Sequence, residues 1–149
     1  MKYINEFLNN SVLLTAILSW FVAQVLKVVF VLIWNKRFDF HRFVGSGGMP
    51  SSHSSFVVSL AAAVGLVEGF ASTMFAVCVV VAAVVMYDAA GIRRAAGQQA
   101  RILNRIVDKW GKEDFRVTEK KLKELLGHTP VEVLAGAILG IIIAVIRHG

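Results

Sequence analysis

Cysteine and acidic residues are scarce in this sequence, and their scarcity narrows the chemistry open to it. The single cysteine, Cys78, has no partner for an intrachain disulfide and cannot supply a thiolate metal cluster. Only 10 of the 149 residues are Asp or Glu, which is few for a magnesium site. No basic motif interleaved with aromatic residues suggests a nucleic acid partner. We therefore expect no metal, no cofactor and no nucleic acid.

The formal net charge of +6 still favours an anionic partner. Hydrophobic residues make up 56 % of the chain, and a mean hydropathy of +0.65 is high for a soluble protein. Because the composition is that of a membrane protein, anionic lipid headgroups are the simplest partner.

Long apolar runs organise the chain, which we interpret as one domain, 1–149. The first run contains one charged residue, Lys27, and at ~1.5 Å per residue it is long enough to cross a hydrocarbon core of ~30 Å. The other three runs are near the shortest length that spans a bilayer, so a re-entrant segment is an alternative for one of them. The sequence predicts an all-α integral membrane protein: a compact bundle of about four transmembrane helices with a basic amphipathic helical insertion before the last span. The spans are about 11–34, 51–68, 73–90 and 130–147, and the insertion is about 91–129.

The connections and charges set the arrangement of these spans. The four residues 69–72 require an antiparallel hairpin. Lysine and arginine are concentrated in the loop 35–50 and in the insertion, and 69–72 has none, so the positive-inside rule predicts cytosolic basic loops and external termini. Gly136 and Gly140 form a GxxxG face, which we interpret as helix packing. A homodimer stays open.

The insertion 91–129 is interpreted as a helical segment bound to the membrane surface. Basic residues follow one stripe at helical spacing and apolar residues gather on the other side, as in helices that lie in the headgroup layer. Thr118 is expected to cap a second short helix closed by Gly127. The alternative is a solvated charged connector. The stripe comprises Arg94, Arg101, Arg105 and Lys112, and the apolar side comprises Ile102, Leu103, Ile106, Val107 and Trp110.

The stretch GSGGMPSSHSS, from Gly45 to Ser55, is the first candidate for chemistry. Glycines such as Gly48 let the main chain approach a ligand, and Ser51 and Ser52 offer hydroxyls. A helix opened by the proline of this stretch would direct free N–H groups at an anion and hold His53 in its first turn. The alternative is a capped helix start with an incidental histidine.

A second histidine, His128, stands at the entrance of the last span, on the same predicted membrane face as His53. Thr129 and Glu132 make an ordinary capping box there. Glu132 is also one helical turn from His128, near enough to fix the tautomer of the imidazole, and the two roles are compatible. We expect the two histidines to converge.

Four charged residues are candidate neighbours of this pair. Lys27 lies within a span, where a lysine costs ~2.5–3.5 kcal/mol at the helix centre, and either snorkels to the surface or reaches a bound phosphate. Asp88 either orients an arginine or marks a helix end. Arg93 and Arg94 suit a phosphate because a guanidinium binds it through two hydrogen bonds. Two histidines, one carboxylate and several cations without a metal favour phosphoryl transfer through a phosphohistidine.

Three motifs resemble one family over nearly the whole chain: GGMPSSHSS, YDAAGIRRAAGQQA followed by LN, and ELLGHTPVEVLAG. They are similar to the divergent bacterial and plant branch of the type 2 phosphatidic acid phosphatase and vanadium haloperoxidase-related superfamily, the group of small YuiD-like membrane proteins. The resemblance implies a bacterial inner membrane or a plastid membrane. It also implies that PSSH corresponds to the family motif PSGH, with serine in place of glycine. H-x3-E corresponds to the family motif H-x3-D, with glutamate in place of aspartate.

On this resemblance His53 is the general acid, His128 is the nucleophile and Glu132 orients it. Lys27 corresponds to the lysine of the first family motif, with Ser51, Ser52 and Gly48 lining the phosphate. Trp34 and Leu122 stand where the family has arginines, so Arg93 or Arg94 has to replace them.

Two functions from different classes follow. The first is a metal-independent phosphatase that hydrolyses a lipid phosphomonoester, such as phosphatidylglycerophosphate, phosphatidate or an isoprenyl phosphate, at the cytosolic face. The rival, favoured by the two missing arginines, is a non-catalytic membrane protein that binds or moves anionic lipids. A structural subunit is the third option.

Overall fold

The computed structural model describes residues 1–35, 48–110, 122 and 127–149. These residues form six α-helices and contain no strand. The helices cover the four predicted apolar runs to within about one residue at each end, and they cover the first half of the predicted insertion. They are α1 (Lys2–Leu8), α2 (Ser11–Asn35), α3 (Ser52–Glu68), α4 (Thr73–Ala90), α5 (Ile92–Trp110) and α6 (Pro130–His148).

The helices confirm the prediction of an all-α membrane bundle. Three apolar stretches in the described residues are long enough to cross a membrane: Ser11–Ile33, Thr73–Val107, which runs from α4 into α5, and Pro130–His148. The helix α3, Ser52–Glu68, is apolar but shorter, with 17 residues. It packs against α2, α4 and α6 and so occupies the centre of the bundle.

Small residues allow the close approach of α6 to α3. A Cβ atom on Gly136 would collide with the carbonyl oxygen of Ser51, and one on Gly140 would lie 2.7 Å from the carbonyl oxygen of Ser55. The GxxxG face is therefore used inside this chain, where it brings the start of α6 against the start of α3. This is the packing role predicted for it.

Hydroxyl groups join α2 to α3 in the middle of the bundle. The side-chain oxygens of Ser19 and Ser55 lie 2.6 Å apart, and each is within 3.2 Å of the other residue's carbonyl oxygen. Hydrogen bonds between membrane helices contribute roughly 0.6 kcal/mol on average. Two turns after Ser19, α2 carries Lys27, and one turn before Ser55 lies Ser51, so this contact aligns both with the same end of the bundle.

The hairpin between α3 and α4 has the predicted form. Gly69 has a φ of 92°, a conformation that glycine adopts without steric cost. Ser72 then caps α4 by accepting a hydrogen bond from the Phe75 amide at 3.2 Å. Phe70 packs edge to face on Phe75, with ring centroids 5.2 Å apart, and closes the hairpin.

The insertion begins as the predicted amphipathic helix, α5. The second helix expected after Thr118 lies outside the described residues, apart from Leu122 and Gly127. Leu122 is held by Asn104 of α5: the Asn104 amide donates to the Leu122 carbonyl at 2.9 Å and accepts from the Leu122 N–H at 3.0 Å.

Candidate active site

The start of α3 contributes the serine-rich side of the site. Within the stretch GSGGMPSSHSS, Gly45 to Gly47 lie outside the described residues. Ser51 is the N-cap, and its hydroxyl accepts from the Ser54 amide at 3.4 Å. Pro50 therefore precedes the cap and does not open the helix, which corrects the predicted position by two residues. A capped helix start and a histidine in its first turn are both present.

Main-chain hydrogen bonds join this helix start to α6, and the residue before the cap of α6 to the end of α4. The Ser51 amide donates to the Glu132 carbonyl at 2.9 Å, and the His128 amide donates to the Ala89 carbonyl at 2.9 Å. Sequence reasoning missed both contacts, since main-chain pairing between distant helices leaves no pattern in side-chain identity. Together they fix the first turn of α6 and the residue before its cap against the start of α3 and the end of α4.

Glu132 makes the contacts expected for both of its predicted roles, and it does so through one carboxylate oxygen. Its Oε2 lies 3.1 Å from Nδ1 of His128 and accepts from the Thr129 amide, also at 3.1 Å. The Thr129 hydroxyl in turn accepts from the Glu132 amide at 3.3 Å, which completes the capping box. A carboxylate acceptor at Nδ1 selects the tautomer with the proton there, and this leaves the lone pair on Nε2.

His128 is buried, with 2 % of its surface exposed. Burial lowers the pKa of its ring below the ordinary value of 6.5, and the charge of Lys27 also lowers it. The hydrogen bond and charge of Glu132 and a weaker backbone attraction from Gly48 act in the opposite direction. Nε2 is enclosed and makes no hydrogen bond of ordinary length and angle to any described residue. Buried ring nitrogens are normally paired, so this one indicates a place for a ligand.

His53 lies beside His128, as expected from the topology. The ring centroids are 6.0 Å apart and the planes meet at 64°, so one ring presents its edge to the other. His53 is exposed while His128 is buried. The pair therefore spans the boundary between the surface and the interior of the site.

Lys27 lies inside the bundle on α2. Only 2 % of its surface is exposed, so the snorkelling alternative is wrong: a lysine that followed the lipid-facing surface to water would be exposed. Its charge interacts with Glu132 and with His128. The carbons of its side chain pass close to Gly48, where a Cβ would be 3.4 Å from Cγ of the lysine. Gly48 thus lies in contact with the lysine, and its φ of 94° is a conformation that favours glycine.

The remaining candidates are less closely associated with the histidines. Arg94 is exposed on α5, and of Arg93 only the main chain is described. Asp88 is half-buried one residue before Ala89, whose carbonyl holds His128. Ser52 is buried at the start of α3. Among the described residues, the charges that act on His128 are those of Lys27 and Glu132.

No group of three His, Cys, Asp or Glu residues suited to a metal occurs in the described part of the chain. The site instead presents two imidazoles, a carboxylate, a buried ammonium group and the N-terminus of α3. Such a set can bind a phosphate, orient an imidazole and transfer a proton.

Comparison with known proteins supplies the family. Residues 8–143 match the family model described as "Divergent PAP2 family". The chain belongs to this family. The divergent PAP2 protein is also 39 % identical, over 151 residues, to "Uncharacterized membrane protein YuiD" of Bacillus subtilis (strain 168), with 95 % of this chain and 96 % of that protein covered. No solved structure matches it. The resemblance seen in the three motifs is confirmed, and the chain is a PAP2-related membrane protein.

Proposed function

We propose that this divergent PAP2 protein is a membrane phosphatase that hydrolyses a lipid phosphomonoester through a phosphohistidine on His128. The proposal rests on the hydrogen bonding of the two nitrogens of that ring. Its Nδ1 is hydrogen-bonded to the Glu132 carboxylate at 3.1 Å. Its buried Nε2 has no hydrogen-bond partner among the described residues. An oriented, uncharged imidazole with a free lone pair is the arrangement that a nucleophile requires.

In the proposed reaction, Nε2 of His128 attacks the phosphorus and the bond from phosphorus to the lipid oxygen breaks. His53 donates a proton to the departing alkoxide, which leaves as an alcohol. His53 then accepts a proton from water, whose oxygen attacks the phosphorus and breaks its bond to Nε2. Inorganic phosphate is released and both imidazoles return to their starting states. Glu132 stabilises the positive charge that His128 gains in the first step.

The two rings are neighbours, with centroids 6.0 Å apart, so both can act on one bound phosphate. A reacting nitrogen and phosphorus approach to about 3–3.5 Å, and a proton donor lies about 2.6–3.2 Å from the oxygen it protonates. Because the phosphorus–oxygen bond that breaks lies between these two contacts, the substrate has to bind with the two reacting nitrogens further apart than the ring centroids.

The phosphate oxygens would be held by fixed positive groups. Lys27 supplies a buried ammonium charge, which acts strongly because little water screens it. The first free N–H groups of α3, near Ser52 and His53, add the positive end of the helix dipole. In this proposal Arg93 or Arg94 takes the place of the family arginines missing at positions 34 and 122.

The substrate class follows from where the site lies. It is formed at the ends of apolar helices, so a phosphate attached to a lipid reaches it without leaving the bilayer surface. Phosphatidylglycerophosphate, phosphatidate and isoprenyl phosphates all present a phosphomonoester at this depth. The positive-inside rule favours the cytosolic face.

The test is phosphate release from these lipids by the purified protein in EDTA. We expect His128→Ala to abolish release. His148→Ala is the matched control, because His148 is a half-buried histidine at the opposite end of α6, hydrogen-bonded to the Thr15 hydroxyl at 2.7 Å and far from the site. Full activity of His128→Ala would exclude the mechanism.

The rival function is binding or movement of anionic lipids without turnover. It is favoured by Trp34 and Leu122 at the positions of the two family arginines, since fewer cations stabilise a transition state less. A phosphohistidine trapped by an acid-free quench supports the enzyme. Saturable lipid-phosphate binding with no phosphate released over hours supports the rival, and a structural subunit would show neither.

A further inference from the structure

The helix α5 has an apolar side that the described protein leaves uncovered. Ile102, Leu103, Ile106 and Val107 are between 41 and 58 % exposed. In a helix that packed on the rest of the chain, this side would be buried. The contact side of α5 is a different one, formed by Ala100 and Asn104, each 7 % exposed.

A row of arginines occupies another side of the same helix. Arg101 and Arg105 are one turn apart, and Arg94 is two turns before Arg101, so all three follow one stripe. All three are exposed. At 100° per residue this stripe is nearly opposite Leu103 and Ile106, with the contact side between them. A basic stripe opposite an apolar one is the pattern of a helix that lies in a membrane interface.

The bilayer is the occupant that fits this uncovered side. Only Gly91 separates the end of α4 from the start of α5, so α5 begins where a membrane-spanning helix ends. Exposed apolar residues stand on both sides of that junction: Tyr87, 75 % exposed, before it and Ile92, 63 % exposed, after it. The arginines and the net charge of +6 complement anionic headgroups. A zwitterionic bilayer would cover the apolar side but would give the arginines no anionic partner.

We propose that α5 lies along the bilayer surface and binds anionic phospholipid headgroups through Arg94, Arg101 and Arg105, with Leu103 and Ile106 inserted at the acyl boundary. The long side chains of the arginines bend back to the phosphate level. This lipid-binding surface lies on a different helix from the histidines. Arg94 is also a candidate for the phosphatase site, but Arg101 and Arg105 are not, so the surface does not depend on the phosphatase proposal.

The depth of α5 is measured with nitroxide spin labels on the full chain in lipid vesicles. Single cysteines at 98, 103, 105 and 106 are introduced in a Cys78→Ala background. We expect collisions with oxygen to dominate the relaxation of the labels at 103 and 106, which would lie in the bilayer. Collisions with a water-soluble nickel complex should dominate the relaxation of the labels at 98 and 105, which would face water. Equal exposure of all four labels to nickel means that α5 extends into water, and equal exposure to oxygen means that it continues the span; either result overturns the proposal.

The anionic preference is tested by lipid charge. Adding phosphatidylserine to phosphatidylcholine vesicles should shift the labels at 103 and 106 further toward oxygen, and high salt should reverse the shift. The variant Arg94→Gln/Arg101→Gln/Arg105→Gln should lose this dependence, while Arg147→Gln, at the other end of the bundle, should keep it. No response to phosphatidylserine overturns the anionic part of the proposal. Dipolar broadening between chains that ignores lipid charge would assign the apolar side to a second copy and overturn it entirely.

Discussion

A single carboxylate oxygen links helix capping to the orientation of His128. Oε2 of Glu132 accepts from both the Thr129 amide and the histidine ring. The capping box therefore holds the carboxylate in place before any ligand arrives. A side chain fixed in this way loses less entropy when it orients its partner, which is how preorganised sites gain rate.

The pH dependence of phosphate release tests the role assigned to this pair. Burial keeps the pKa of His128 below 6.5, so a lower pH is needed to protonate the nucleophile. Activity should persist as the pH falls through 6.5 and decline only below it. Glu132→Gln keeps an acceptor but loses the charge that raises this pKa. We expect the acid limb of its pH–rate profile, where phosphate release is lost as the pH falls, to move to lower pH. The rate of release should fall about 10²–10⁴-fold.

Thr129→Ala separates orientation from capping. It removes the cap hydroxyl, which costs about 1 kcal/mol of stability, and it leaves the carboxylate charge in place. Its acid limb should stay where it is in the wild type. A Glu132→Gln profile with an unmoved limb, or a wild-type limb above 6.5, would show that His128 is not the group titrating.

The identities of the residues were enough to predict which of them form the site, but not how deeply each one is buried. His53, His128 and Glu132 could be brought together from topology, since each stands at the same end of an apolar helix. The burial of Lys27 could not be predicted, because a lysine eight residues from a helix end reaches the surface or the interior with equal ease. Its side chain lies against Gly48, a contact between distant parts of the chain that hydropathy does not predict.

At the scale of helices, the short helix α3 determines how the others pack. Its buried face is composed mainly of serine, alanine, valine and glycine. These residues let α2, α4 and α6 approach closely, and the serines supply hydrogen bonds in a region without water. Apolar length predicted α3 as a span, but its central position depends on which small residues face which neighbour, and a hydropathy pattern does not contain that information.

Gly136→Ala tests the closest of these contacts. The added methyl group would collide with the Ser51 carbonyl, so α6 has to move away from α3. Forced overpacking of this kind typically costs about 1–3 kcal/mol. We expect a lower thermal midpoint in detergent and weaker phosphate release, because Ser51 also binds the Glu132 carbonyl.

Leu134→Ala is the matched control for that variant. It changes a side chain on the same helix by more atoms, but Leu134 is 59 % exposed on the outer surface of the bundle. Its midpoint should remain close to that of the wild type. Equal midpoints for the two variants would mean that α6 and α3 do not require the observed approach.

At the scale of the whole molecule, the orientation in the membrane decides which lipids the site meets. The basic residues that favour a cytosolic site belong to the loop 35–50 and the insertion 91–129, and the hairpin 69–72 has none. The bundle places the two ends of α3 at opposite ends, with His53 at one and the hairpin at the other. The positive-inside rule thus predicts that the hairpin is external.

Cysteine labelling in intact cells measures this orientation directly. In a Cys78→Ala background, Ala71→Cys in the exposed hairpin should react with a membrane-impermeant maleimide added outside. Gln98→Cys, which is also exposed but on α5, should react only after the membrane is opened. The reverse pattern would move the site to the outer leaflet. The proposed chemistry would survive that result, because the contacts among His53, His128 and Glu132 do not depend on orientation, but the substrate would then have to be a lipid phosphate of the outer leaflet.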